Sequence, residues 1–138
     1  MKTYSESEVF SKEDVENYQH ATKIVDLLPD TDTKGRILRC HEVARVVGKI
    51  LGLPVEDGKF EVGVEHSWCP LPSRHILDVY TVGRLPPVQL VACVSSLPNR
   101  FTAKNIDLEV REDVVDHLVR LVVATLARMD GQHERTGG

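Results

Sequence analysis

Three residues that could form a nucleophilic triad follow one another along the chain: Cys40, His66 and Asp78. A free thiol has a pKa of about 8.5 and is mostly protonated at neutral pH. A histidine within hydrogen-bond reach can take that proton, and a carboxylate on its other ring nitrogen fixes the tautomer and stabilises the imidazolium. If the fold brings the three side chains together, the sulfur can attack an acyl carbon.

The hydrophobic pattern favours such a meeting. Residues 60–68 alternate between apolar and polar positions, which predicts a strand with His66 and Trp68 on its apolar face. Cys40 lies on the apolar stripe of a predicted helix, and Asp78 lies on the strand that follows. We expect the helix stripe and the His66 face to turn toward one core, where the three side chains meet.

The elements that must position these residues are predicted from periodicity and from helix-breaking residues. We predict helices over about residues 11–28, 35–51 and 111–129, and strands over 60–68, 75–82 and 88–94. Ser11, with Asp14 three residues on, resembles a capping arrangement. The third strand is almost wholly apolar, which predicts a central position covered on both faces. Residues 95–109 are expected to form a long irregular connection.

This order of elements predicts an α+β fold. Two N-terminal helices pack on a small antiparallel sheet of three to four strands, and a C-terminal helix follows. A chain of 138 residues is close to the usual size of one domain. We therefore expect a single domain over residues 1–130 and a polar, disordered tail over 131–138.

Charge and composition exclude several classes of partner. The net charge of -4, with no basic block, argues against nucleic-acid binding. No apolar run is long enough for a membrane span, and the first ten residues have no apolar signal region. Three cysteines cannot all pair within the chain, which favours a reducing compartment. We expect a cytoplasmic protein without a membrane or nucleic-acid partner.

Three segments carry the chemistry: GRILRCHEVARVVGKILGLPV at 35–55, VEHSW at 64–68 and ILDVY at 76–80. Together they resemble the pattern of transglutaminase-like and papain-like cysteine peptidases. In that pattern a Cys opens a helix, a His follows on a strand, often as His-x-Trp, and an Asp lies on the next strand. The resemblance covers about residues 35–80 and implies that fold, with no cofactor and no metal. It implies that Cys40 is the nucleophile, His66 the base and Asp78 the orienting acid.

Other residues are assigned supporting roles. Trp68 is expected to shield the pair from water and to contact substrate, and His41, about 100° round the helix from Cys40, is expected at the rim of the site. The oxyanion could be bound by the backbone N–H of Cys40 or His41, with Gln19 as a more distant candidate. The implied reaction is attack on a peptide or amide carbonyl of a peptide or protein substrate, ending in hydrolysis or transfer.

Two other interpretations of the same residues stay open. Cys40 could be core packing and His66 a hydrogen-bonded core histidine, because buried cysteines and satisfied histidines are common. A zinc site is the second, with the candidate ligands Cys40, His41, His66, Cys69 and His75. Against zinc, the chain has no Cys-x-x-Cys pair, and His66 and Cys69 should face opposite sides of their strand.

A non-catalytic interaction protein is a further class. In this interpretation the apolar stripes form only a core, and the irregular connection over 95–109 binds a partner. Its candidate contact residues are Arg100, Phe101 and Lys104. A thiol at Cys40 that behaves like any buried thiol would favour this class.

Overall fold

The computed structural model describes residues 10–60, 64–80, 87–92, 101–104 and 108–136, with the backbone alone over 132–136. Arg100, a predicted partner contact, and Cys93, one of the three cysteines, lie outside these residues. The fold is α+β, as predicted: two N-terminal helices, a five-stranded antiparallel sheet and a C-terminal helix.

The helices are α1 (Lys12–Leu27), α2 (Cys40–Leu51) and α3 (Glu112–Thr136), and the strands are β1 (Glu56–Phe60), β2 (Val64–Pro70), β3 (Ile76–Asp78), β4 (Gln89–Val91) and β5 (Phe101–Ala103). The sheet order is β4-β3-β2-β1-β5, and every neighbouring pair is antiparallel.

The start of α1 is fixed by the capping arrangement that the sequence predicts. The Ser11 hydroxyl accepts a hydrogen bond from the Asp14 backbone N–H, and the Asp14 carboxylate accepts one from the Ser11 N–H. This reciprocal pair satisfies two donors that a helix start otherwise leaves open. The helix buries Ala21 and Ile24 and ends just before Pro29.

The start of α2 differs from the prediction. The helix begins at Cys40 and not near Gly35, because the preceding residues form a compact loop. The Asp32 carboxylate accepts hydrogen bonds from loop N–H groups, including that of Arg36, and Gly35 has a φ of +76°, in the left-handed region. Ile37, which extended the apolar stripe upstream in the sequence, is 72% exposed and belongs to this loop.

The predicted strand over 60–68 is two strands. β1 and β2 pair with Phe60 opposite Val64 and Glu56 opposite Trp68. Partners across an antiparallel pair point to the same face, so the alternation of apolar residues carries on through a hairpin as if the strand were continuous. The polar sequence of β1, EDGKF, gave no strand signal of its own.

The two edge strands, β4 and β5, also differ from what the sequence predicts. β4 forms one edge of the sheet and not its centre, and its three residues are only partly buried. β5 lies within the predicted irregular connection and pairs with β1 at the opposite edge. Phe101 on β5 is 4% exposed, so it belongs to the core and not to a partner-binding loop; Lys104, just after the strand, is exposed.

The sheet is covered on both faces. The helices pack on the face that carries Cys69 and Leu77, and these residues belong to the large core with α1, α2 and α3. The opposite face holds a smaller cluster that includes Trp68 and Phe101, and the ring of His66 lies against it. The prediction that the His66 face turns toward the helix core is therefore wrong, because alternate residues of a strand face opposite sides.

The last helix packs through Val115, Leu118 and Val122, as its broad apolar face predicts. It runs past the predicted end near Met129 to Thr136, into the segment predicted to be a disordered tail. None of the helices that the structure describes combines the length and the apolar character needed to cross a membrane.

Gly58 offers a test of the β1 position in the sheet. A Cβ there would collide with the Thr102 carbonyl of β5 and lie 2.9 Å from the Trp68 ring. Because backbone and a buried indole cannot yield cheaply, Gly58→Ala should lower the free energy of unfolding in urea by about 1–3 kcal/mol. Gly131→Ala in α3 is the control: its Cβ meets nothing within 4 Å, so stability should stay equal or rise by up to about 1 kcal/mol. Equal stability of Gly58→Ala and wild type would contradict this packing.

Candidate active site

Cys40 lies at the N-terminus of α2, where a thiolate is favoured. It is the first helical residue, and Arg39 is the N-cap. The backbone N–H groups of a first helical turn have no intrahelical acceptor, and the helix dipole is positive there. Both effects stabilise a negative charge on sulfur. Cys40 is partly exposed, so a substrate can reach it.

His66 lies between Cys40 and Asp78. Its Nε2 is 2.9 Å from Asp78 Oδ1, His66 is fully buried and Asp78 is 4% exposed. Its Nδ1 is buried and has no hydrogen-bond partner among the described residues. Cys40 and His66 are near enough that each shifts the pKa of the other, and Nδ1 is the His66 nitrogen that is not bound to Asp78. The structure thus brings together the three residues that the sequence proposed as a triad.

The electrostatics of the pair favour a thiolate and an imidazolium. Burial opposes ionisation of the thiol, but the imidazoles of His41 and His66 outweigh burial and lower the pKa of Cys40 to about 6. Burial likewise disfavours a charged His66, but Asp78 and the Cys40 thiolate outweigh it and raise the pKa of His66 to about 9. Between these two values the pair carries opposite charges, the state that a thiol nucleophile needs.

A second imidazole contacts the same sulfur. The two ring nitrogens of His41 lie 3.7 and 3.9 Å from Cys40 Sγ, and Nδ1 is 2.6 Å from the Ser67 hydroxyl. That hydroxyl donates to Asp57, which accepts two hydrogen bonds from the Arg45 guanidinium, at 2.7 and 3.1 Å. His41 is 8% exposed. The prediction that it lies at the rim is corrected, because this chain of hydrogen bonds holds it inward, and its predicted contact with substrate stays a prediction.

Of two other predicted site residues, Trp68 is buried away from solvent, and Gln19 does not join the cluster around Cys40. Trp68 is 1% exposed, and its Nε1 donates to Glu56 at 3.1 Å. It lies beside the His66 ring, with the ring centroids 6.2 Å apart, and so shields that histidine but has no surface for substrate. Gln19 is exposed on α1, about 200° round the helix from the buried Ala21, so it does not join the cluster.

The sequence analysis missed the buried carboxylate that anchors this helix terminus. Glu42 has no exposed surface; it accepts hydrogen bonds from the backbone and guanidinium of Arg39 and from Arg111, at 2.6 to 3.2 Å. Arg111 also reaches Asp32, at 3.0 Å. Burial would raise the pKa of Glu42, but Arg111 and Arg39 outweigh it and lower it to about 2. Glu42 lies about 200° round the helix from Cys40 and so off the predicted apolar stripe, which is why periodicity did not indicate its burial.

The candidate zinc ligands are not assembled. Among the described residues, no group of three or more His, Cys, Asp or Glu side chains is placed to hold a metal ion. Cys69 lies on the helix side of the sheet, where its thiol donates to the Ala44 carbonyl and burial raises its pKa to about 12. His75 packs edge-on against Phe10, with the ring centroids 5.2 Å apart.

Comparison with known proteins adds no family assignment. No family model, no curated protein and no solved structure matches the chain. The geometry of this site and the three sequence motifs are therefore what indicate a function for the protein.

Glu42→Gln should destabilise the fold in a pH-dependent way. The variant leaves Arg111 and Arg39 without their buried anion, so the free energy of unfolding at neutral pH should fall by about 3–5 kcal/mol. Because folding lowers the pKa of Glu42 from 4.5 to about 2, its stabilisation is present above pH 4.5 and is lost as the pH falls toward 2. The difference in the free energy of unfolding between wild type and variant should therefore become smaller over that pH interval.

Urea unfolding from about pH 7 to about pH 3 measures this difference. Glu16→Gln, on the exposed side of α1, is the matched control and should differ little from wild type at any pH. A difference for Glu42→Gln that stays constant across the acid range would contradict the buried ion cluster.

Proposed function

We propose that the protein is a cysteine-dependent acyl-transfer enzyme that acts on a peptide or amide bond, as a hydrolase or an acyltransferase. One arrangement carries the proposal: a partly exposed thiol at a helix N-terminus, beside a buried histidine whose far nitrogen is hydrogen-bonded to a buried carboxylate. The residues are Cys40, His66 and Asp78. The resemblance to papain-like and transglutaminase-like enzymes supports the same assignment.

Asp78 acts through the tautomer of His66. A carboxylate accepts a hydrogen bond, so Nε2 of His66 carries a hydrogen and Nδ1 is left as the base. Nδ1 is buried and has no hydrogen-bond partner among the described residues, and in the proposed reaction it takes the thiol proton. The cluster thus favours proton transfer from sulfur to His66.

The reaction proceeds in two halves. The thiolate adds to the carbonyl carbon, and the negative charge that develops on oxygen is met by the backbone N–H of Cys40 or His41. His66 gives its proton to the leaving amine, and a thioester remains on Cys40. Water or an amine then attacks the thioester, which releases the acyl group and restores the thiolate. No metal or organic cofactor takes part in this scheme.

A cleft of about 380 Å³ is lined by sequence neighbours of the proposed triad, although Cys40, His66 and Asp78 themselves do not line it. Val79 and Tyr80, which follow Asp78, line it together with Leu38, two residues before Cys40. Apolar walls with few polar groups are typical of pockets for side chains. A peptide or protein substrate that presents a large apolar residue fits this surface.

A reducing compartment, such as the cytoplasm, suits the proposed nucleophile. Cys40 and Cys69 are free thiols. A low-pKa, accessible thiolate is also the form most readily oxidised. The enzyme would therefore keep its activity where thiols stay reduced.

Alkylation of Cys40 by iodoacetamide tests the proposal without a known substrate. Because only the thiolate reacts, the rate in wild type should fall to half near pH 6, the pKa of Cys40. His66→Ala should move that midpoint upward, toward about 8.5, and Asp78→Asn should move it less, in the same direction. Peptide mass spectrometry reports each cysteine separately.

Cys69 is the internal control for the same experiment. It is fully buried with a raised pKa, so it should stay unmodified until the protein unfolds. If Cys40 behaves like Cys69, or keeps a midpoint near 6 in His66→Ala, the enzyme proposal fails. A non-catalytic interaction protein would then be the better hypothesis.

A further inference from the structure

The proposed triad leaves one histidine of the site without a role. His41 contacts Cys40 Sγ at 3.7 and 3.9 Å, yet the proposed triad assigns the thiol proton to His66. His41 also has its own chain to a carboxylate, through Ser67 to Asp57. The sulfur is thus flanked by two imidazoles, each connected to a different aspartate.

The hydrogen-bond inventory fixes the tautomer of His41. Asp57 accepts from Arg45, and although burial raises the pKa of Asp57, Arg45 and Ser67 outweigh burial and lower it, so the carboxylate has no proton to donate. Ser67 has a single hydroxyl hydrogen, which goes to Asp57. Its oxygen must therefore accept from Nδ1–H of His41, which leaves Nε2 as the lone-pair nitrogen of the neutral ring.

We propose that His41 is a second acid–base residue of the Cys40 site and that its Nε2 takes the proton of the water or amine that resolves the acyl-enzyme. This inference rests on the proposed function. As the new bond to the acyl carbon forms, the attacking group gives its proton to Nε2. The carbon–sulfur bond then breaks, its electron pair returns to sulfur, and the proton on His41 passes to solvent.

Burial separates the tasks of the two histidines. His66 has no exposed surface, and its ring lies among Phe60, Trp68 and Phe101, with centroids 5.8 to 6.2 Å away. Its buried Nδ1 is suited to the thiol proton and is shielded from incoming water. His41 is 8% exposed against none for His66, so it is the more accessible of the two imidazoles near Cys40.

The charged groups that face His41 come from two elements. Cys40 and Arg45 belong to its own helix, and Arg45 also donates to the His41 carbonyl at 3.1 Å. Asp57 acts from β1, through the Ser67 hydroxyl of β2. Asp57 accepts the Ser67 hydroxyl hydrogen and so keeps the Ser67 oxygen free to accept from Nδ1–H of His41.

The decay of an acetyl group on Cys40 tests His41 directly. The enzyme is mixed with p-nitrophenyl acetate, freed of reagent, and followed by intact mass as the acetyl group is lost. His41→Asn is the key variant, because the Asn amide nitrogen can replace Nδ1–H as the donor to Ser67 but offers no base. Its acetyl-enzyme should form more slowly, because His41 also lowers the pKa of Cys40, and once formed it should decay about 100-fold more slowly than that of wild type.

Two further variants separate chemistry from structure. His41→Ala should decay slowly as well, and added imidazole should restore part of the rate if the missing group is a base. His20→Asn, an exposed histidine on α1, is the matched control and should decay like wild type. Ser67→Ala keeps the His41 ring but removes the hydroxyl that fixes its tautomer. It should slow the decay by less than His41→Asn does. Thermal melting checks that each variant is folded.

The outcomes distinguish this inference from the proposal beneath it. If the acetyl group forms on wild-type Cys40 but His41→Asn loses it at the wild-type rate, the role of His41 is overturned and the triad stands. Slow decay without rescue by imidazole in His41→Ala would also overturn it, in favour of a structural role. If wild type forms no acetyl-cysteine, or His66→Ala forms it equally fast, the proposed function itself fails.

Discussion

The ion cluster around Glu42 determines where α2 begins, and the position of Cys40 depends on that start. Its buried carboxylate caps the Arg39 backbone and binds the side chains of Arg39 and Arg111. Arg111, the residue just before α3, also binds Asp32 and so connects the loop before α2 to the start of α3. A helix that continued upstream would bury the same cysteine in a regular turn, where its thiolate loses the open N–H groups and the positive end of the dipole.

Strand β2 supplies the second constraint, because both of its faces are covered. His66 points into the aromatic cluster, whereas the next residue, Ser67, points toward the helix side and holds His41. The strand therefore supplies one imidazole itself, that of His66, and through Ser67 it holds the second, that of His41, beside Cys40. This arrangement places a buried, carboxylate-bound histidine and a more accessible one at the same thiol.

Local signals in the sequence predicted the elements that depend on local chemistry. The Ser11–Asp14 capping box, the apolar face of α3 and the α+β order all follow from short-range patterns, and the structure has them. These short-range patterns could not predict which strands pair. A period of two cannot distinguish a hairpin from one long strand, and the short β5 has no pattern that separates it from a loop.

The sequence by itself determined which residue types meet at the candidate site, since Cys40, His66 and Asp78 were recognisable by type, order and His-x-Trp spacing. Only the tertiary structure decided that Cys40 is the first residue of its helix and that His41 is a buried partner and not a rim residue. Both depend on contacts between residues far apart in the chain, such as Glu42 with Arg111 and His41 with Ser67. Periodicity describes one element at a time and carries no information about such contacts.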